Sequence, residues 1–142
     1  MDTEKLSSSF NQRTKQLLDS SVVSKFVLKE SGWITVEQHI AGSNSIELAL
    51  KETSNALWKK IVKGEVELDS AKQIIKILSE TLWFLDQSRY LARALEIAAK
   101  HGITVYDSLF LACAQTEGLV LVSCDDKQLE VAGVLGIDTL KI

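Results

Sequence analysis

The chain has 142 residues, 46% of them hydrophobic and 25% charged, and a formal net charge of −3. That length suits one domain, which at this size buries roughly 70% of the surface its unfolded chain exposes. No apolar run approaches the ~20 residues of a membrane span, and the polar N-terminus has no apolar leader, which speaks against a membrane or secreted protein. Cys113 and Cys124 form no C-x-x-C pair, and His39 and His101 stand alone. Structural zinc and a disulfide framework are thereby disfavoured, and a reducing cytoplasm fits.

Residues 1–13 are polar, carry Ser7-Ser8-Ser9 and read as a frayed tail ahead of one domain over 14–142. Gln16-Leu17-Leu18 predicts a short buried strand that runs into Asp19. Ser20 or Ser21 then caps a helix carrying Val22, Val23, Phe26 and Val27. A short helix is expected over Trp33 to Ile40, and a brief strand or helix lead-in over Ser45 to Leu48. The next helix, about Ala49 to Lys63, has Leu50, Leu57, Trp58 and Ile61 at helical spacing and stops at Gly64. Asp69 or Ser70 caps another through Leu78, and Leu82-Trp83-Phe84-Leu85 has the continuous apolarity of a buried parallel strand.

Gln87 to Lys100 predicts a helix with Leu91, Leu95, Ile97 and Ala98 inward, ended by His101-Gly102. Thr104 caps the helix Val105 to Thr116, which stops at Gly118. Leu119 to Val122 is apolar on both faces, the clearest strand of all. Lys127 to Ala132 reads as a short helix and Ile137 to Ile142 as a terminal strand. Alternating strands and helices imply an α/β fold: a three-layer sandwich with a central, mainly parallel sheet flanked by helices.

Two acids, Asp107 and Asp125, fall where this patterning predicts buried or half-buried positions, and Asp19 and Glu52 share that placement. Carboxylates are seldom buried unless paired or bound to a cation. Asp19 and Asp125 follow strands, where open α/β sheets bind ligands. Asp107 lies in a helix's first turn, where the dipole favours an anion. Two like charges ~4 Å apart at an effective dielectric of ~20 repel by about 4 kcal/mol, so a converged quartet calls for a cation. Oxygen-only ligands suit Mg²⁺ or Mn²⁺, ions that activate water against a phosphodiester. With the four acids set aside the net charge becomes +1, so charge does not exclude a nucleic acid.

Four segments carry a family resemblance. They are Leu17-Leu18-Asp19-Ser20-Ser21-Val22-Val23-Ser24-Lys25, Glu52-Thr53-Ser54-Asn55-Ala56-Leu57-Trp58, Thr104-Val105-Tyr106-Asp107-Ser108-Leu109-Phe110-Leu111-Ala112, and Leu121-Val122-Ser123-Cys124-Asp125 with Lys127 and Leu129. In this order they resemble PIN-domain ribonucleases, especially the VapC-type toxins of toxin–antitoxin pairs, from Leu17 to the C-terminus. The resemblance implies a PIN-like fold and an Mg²⁺- or Mn²⁺-dependent endoribonuclease with an RNA substrate, a cognate antitoxin and a homodimeric state. It assigns Asp19, Glu52, Asp107 and Asp125 to metal binding and catalysis. Ser123, where the family often has threonine, and Ser20 become supporting hydroxyls, and Asn55 stands behind the ligands. Asp126 could replace or assist Asp125.

Each acid also has a simpler local role. Asp19 can be an N-cap, Asp107 a dipole partner, Glu52 a surface residue among Lys51, Lys59 and Lys60, and Asp125-Asp126 a capped turn. Lys25, Lys29, Lys59, Lys60, Arg89 and Lys127 offer a basic rim for RNA or a solvated face; Lys25 and Lys127 adjoin the motifs. Trp33, Trp58 and Trp83 fit core or interface packing better than base stacking. Phe26, Val27, Trp33 and Ile40 could line an antitoxin groove or belong to the core. Competing readings are an RNA-processing PIN nuclease without an antitoxin and a non-catalytic α/β binding module. A phospho-receiver domain is disfavoured, because Leu18-Asp19-Ser20 offers one early acid rather than a pair.

Overall fold

The computed structural model describes residues 13–142. Its elements in chain order are β1 (Gln16–Leu18), α1 (Ser20–Val27), α2 (Trp33–Ile40), β2 (Asn44–Ile46), α3 (Glu47–Val62), α4 (Leu68–Thr81) and β3 (Trp83–Leu85). A 3₁₀ turn at Gln87–Tyr90 leads into α5 (Leu91–His101), α6 (Val105–Glu117), β4 (Val120–Ser123), α7 (Asp126–Val134) and β5 (Thr139–Lys141). All four strand pairings are parallel, and the order is β3-β2-β1-β4-β5. Parallel neighbours require crossovers, and right-handed ones place the helices between β1 and β3 on one face and those after β3 on the other. The result is the expected three-layer α/β sandwich.

Successive strands are added outward from β1 to β3 on one side and from β4 to β5 on the other, so the winding switches between β1 and β4, which pair in parallel with Leu18 opposite Val122. These central strands are the most apolar: Leu17, Leu18, Leu121 and Val122 are fully buried. Helix α6 is enclosed for seven consecutive residues, Ser108 to Ala114, so it is apolar on every side for most of its length. Burial of each large side chain in such a layer is worth roughly 1.5–3 kcal/mol.

Several expectations need correction. The run Leu82 to Leu85 forms an edge strand, with Trp83 38% exposed and its ring under the Arg13 guanidinium. The terminal strand is confined to Thr139–Lys141 at the other edge and is exposed. An edge strand has one covered flank, so its apolar residues reach solvent. Leu91 and Leu95 point outward on α5; its inner residues are Ala94 and Ile97, with Tyr90 from the preceding turn. Both stripes of that helix carry apolar residues, so spacing alone selects the wrong one. Trp58 is 57% exposed on α3, where Leu57 is the buried neighbour. Helix α4 starts at Leu68 behind Glu67, ahead of the expected Asp69 or Ser70 cap, and has no side-chain cap bond. The expected tail lies outside the described residues except for Arg13, whose Nε donates to Asn44 Oδ1.

Candidate active site

Three helices begin at the carboxyl ends of β1 and β4 or beside them. Asp19 is the N-cap of α1, its Oδ1 accepting from Val22 N at 3.2 Å. Asp125 caps α7, its Oδ1 accepting from Gln128 N at 3.0 Å. Thr104 caps α6, its Oγ1 accepting from Asp107 N at 3.1 Å and so placing Asp107 in the first turn. Capping and site formation therefore coincide in these residues. Positive helix ends offset part of the cost of gathering negative side chains.

The three acids meet Glu52 of α3 around one cavity of about 250 Å³, which Ser20, Ser21, Ser24, Phe110 and Gln128 also line. All four sequence-selected acids thus reach a single crevice at the switch point. The expectation that they are buried or half-buried holds only for Asp19, which is 4% exposed. Glu52, Asp107 and Asp125 are exposed residues on the cavity rim.

Hydroxyls hold Asp19 on both oxygens. Ser123 Oγ donates to Oδ2 at 2.5 Å, and Ser21 Oγ donates to Oδ1 at 2.5 Å. Ser123 Oγ in turn accepts from Asp125 N at 3.0 Å, linking two acids through one hydroxyl. Ser21 Oγ accepts from Cys124 N at 3.0 Å and so ties α1 to the end of β4. Gln128 Nε2 donates to the Asp107 carbonyl at 2.9 Å, locking α7 to the first turn of α6. Ser24 and Thr53 hydroxyls meet at 3.2 Å, joining α1 to α3 one residue from Glu52. Asn55 is exposed and outside the cavity lining.

Burial pushes the Asp19 carboxyl above its ordinary value, against the lowering effect of the Ser123 and Ser21 hydrogen bonds. Glu52 is raised by desolvation and then by the charge of Asp107, and Asp107 by desolvation and then by Asp125. Ser20 stands close enough to Glu52 to temper that rise, yet its buried Oγ makes no hydrogen bond of good geometry. Each of these three carboxyls would ionise more readily beside a positive charge, and the Ser20 hydroxyl faces the same cavity. Every polar lining group is an oxygen or amide donor, which suits a hard divalent ion rather than zinc. Among the described residues no three acids, histidines or cysteines close a cage alone.

Sequence reasoning missed Ser21 and Gln128. The signal for Ser21 was its place two residues after a capping acid, where a hydroxyl folds back on the cap. Gln128 offered none, because its partner is 21 residues away.

A doubly wound parallel sheet with an acid-lined crevice at its switch point defines an α/β protein whose ligand-binding position carries oxygen ligands of the kind a hard cation takes. The family model for the PIN domain matches residues 17–134, and the chain belongs to the PIN-domain family. It is 28% identical over 127 residues to "Exonuclease VapC9" of Pyrobaculum aerophilum, across 89% of this chain and 92% of that protein. It is 29% identical over 117 residues to "Ribonuclease VapC3" of the same organism, across 78% of this chain and 89% of the relative. The crystal structure of PAE2754 from Pyrobaculum aerophilum superposes with a TM-score of 0.68 at 26% identity, covering 88% of this chain and 96% of that one.

Proposed function

We propose that this chain is a metal-dependent endoribonuclease that hydrolyses RNA phosphodiester bonds, and the toxin of a type II toxin–antitoxin pair. The observation that carries the reading is the convergence of Asp19, Glu52, Asp107 and Asp125 on one cavity at the switch point. The words ribonuclease and exonuclease in the names of its relatives support nuclease chemistry, and their VapC names support the toxin assignment. Residues 14–142 are taken as the nuclease domain, with 1–13 outside it.

The four carboxylates would hold Mg²⁺ or Mn²⁺, with the Ser20 hydroxyl beside them. A bound ion supplies an activated water and offsets charge on the phosphate. The protein's own work is positional. Ser123 and Ser21 fix both oxygens of Asp19, so its ligand geometry does not depend on the ion. Gln128 holds the Asp107 backbone, and the Asp125 amide is held by Ser123. The buried stretch Ser108 to Ala114 of α6 supplies a rigid base for Asp107, with Phe110 as the apolar wall of the cavity.

Of the early-helix residues considered for an antitoxin groove, Ile40 belongs to the core, and Phe26 lies 6.1 Å from Trp33, ring to ring. A larger open apolar groove, of about 620 Å³, lies between α3 and α4, lined by Leu57, Trp58, Ile61, Leu68 and Ile75. We assign the antitoxin helix there, and a homodimer contact to exposed Leu91 and Leu95 of α5. Among the described residues no helix is long and apolar enough to cross a membrane, and a cytoplasmic setting follows from the toxin reading.

The test is cleavage of a single-stranded RNA by the wild-type chain with Mn²⁺, by the same sample in EDTA, and by Asp19→Asn. Cleavage should require the ion and be lost in the folded variant. Metal-independent cleavage, or full activity of Asp19→Asn, would overturn the reading. Ion binding without cleavage would make the chain a binding module.

A further inference from the structure

A second cavity of about 390 Å³ opens beside the acid site, lined by Leu48, Glu52, Thr104, Tyr106 and Asp107. It shares Glu52 and Asp107 with the first, so the two form one cleft with a polar end and a more apolar end. We propose that this second cavity seats one unpaired nucleobase of the substrate strand, with Tyr106 as its stacking platform and as a determinant of which nucleotide flanks the cleaved phosphate. The proposal rests on the nuclease reading above and adds a substrate-positioning residue to it.

Tyr106 is 63% exposed, although it immediately precedes Asp107 and the seven-residue buried stretch of α6. The chain's other tyrosine, Tyr90, is 2% exposed, and its hydroxyl donates to Glu117 at 2.6 Å. The fold thus places one tyrosine in its core and leaves the other's ring open at the mouth of the acid cavity. Across the cleft, Leu48 lies one helical turn before Glu52, on the same face of α3. It is 9% exposed and gives the cavity an apolar floor. Each wall therefore repeats one pattern: an apolar or aromatic side chain, Leu48 or Tyr106, next to a carboxylate, Glu52 or Asp107.

That pattern matches the two ends of a nucleotide, a flat base and a charged phosphate drawn to a cation between the acids. The cavity falls within the ~300–1,000 Å³ common for small-ligand sites. An aromatic ring is a sequence-tolerant platform for a base, and any pocket-wall preference is superimposed on it. The cavity's immediate contact with Glu52 and Asp107 limits the occupant to the nucleotide next to the scissile bond.

The experiment uses the full chain with Mn²⁺ and single-stranded RNA, in wild type, Tyr106→Phe and Tyr106→Ala. We expect Tyr106→Ala to raise KM by roughly 10-fold with kcat less affected, and Tyr106→Phe to match wild type. Removing the base beside the cleavage position should raise KM for wild type and add nothing in Tyr106→Ala. A cleavage-free readout accompanies these: wild type should quench a 2-aminopurine at that position in a 2′-O-methyl oligonucleotide, and Tyr106→Ala should not. Equal KM for Tyr106→Ala and wild type, or a Phe variant as impaired as Ala, would overturn the stacking role. So would unchanged 2-aminopurine emission on binding to wild type. If wild type cleaves while Tyr106→Ala is unaffected, this inference alone fails; if wild type neither cleaves nor binds, the nuclease reading fails with it.

Discussion

At the N-terminal edge of the sheet polar side chains saturate one another, whereas at its C-terminal edge they are left in excess. Asn44, 1% exposed, donates through Nδ2 to the carbonyls of Thr14 and Gln16, both at 2.9 Å, and accepts from Arg13. Thr14 and Ser43 hydroxyls meet at 3.0 Å, Ser43 Oγ donates to the His39 carbonyl, and the His39 ring meets Gln16 Oε1 at 3.1 Å. Every strong partner there is another part of the chain. The opposite edge gathers four carboxylates, leaves the Ser20 hydroxyl unpartnered and raises three acids above their ordinary values. A satisfied network contributes stability; a like-charged cluster with shifted carboxyls is the kind of place where function is found.

The sharpest way to break this contrast is one variant at each edge. Asp107→Asn removes a carboxylate raised by desolvation and by Asp125. It should lower kcat/KM by at least ~100-fold, the upper end of what even an outer supporting partner of a metal ligand costs. Metal-free stability should not fall, because repulsion is relieved. Asn44→Leu removes the side-chain donor to two half-buried carbonyls, at about 1–3 kcal/mol each. It should lower unfolding free energy by about 2–6 kcal/mol, with cleavage per folded molecule unchanged. Denaturant melts beside rate measurements decide it, and a stable Asn44→Leu or a destabilised Asp107→Asn would erase the distinction.

Ser123 belongs to both regimes, being fully buried, donating to Asp19 and accepting from Asp125 N. Ser123→Ala should therefore show a mixed effect. We expect a ~10–100-fold loss of activity together with about 1–3 kcal/mol of stability. Ser123→Thr keeps the hydroxyl and should recover most of the activity. A loss in stability alone would make Ser123 part of the scaffold and not of the site.

The contrast also explains what could be read in advance. Asp19, Asp107 and Asp125 were legible because strand ends and helix starts announce themselves locally, and an acid at such a place stands out. Glu52, inside a helix and among lysines, stood out only by its apolar setting and gained weight from the ordered set of four segments. The sealed edge was invisible, since Asn44 works through Thr14 and Gln16, about 30 residues away and without charge. The same reason hid Gln128. Face assignment failed on α5, where Leu91 and Leu95 offer an apolar stripe the core does not use. Periodicity identifies a helix, but the sheet it meets decides which side is covered.

The smallest effect expected concerns pH. Asp19, Glu52 and Asp107 all have folded-state carboxyls raised above ordinary values of 3.8, 4.5 and 3.8. In the window above those values the folded chain holds protons that the unfolded chain has released. Stability from these groups is therefore fully present below the ordinary values and is lost as pH rises through the raised ones. Glu65 and Asp86 are lowered and act in the opposite sense, but both are fully exposed and screened. Thermal melts in EDTA should thus show this site opposing the usual loss of stability in mild acid, and Asp19→Asn should remove part of that opposition. A divalent ion competes with those protons, so adding Mn²⁺ should raise Tm more at neutral pH than at acid pH. An equal rise at both would mean that the ion binds somewhere other than the raised carboxylates, and the two edges of the sheet would no longer differ in kind.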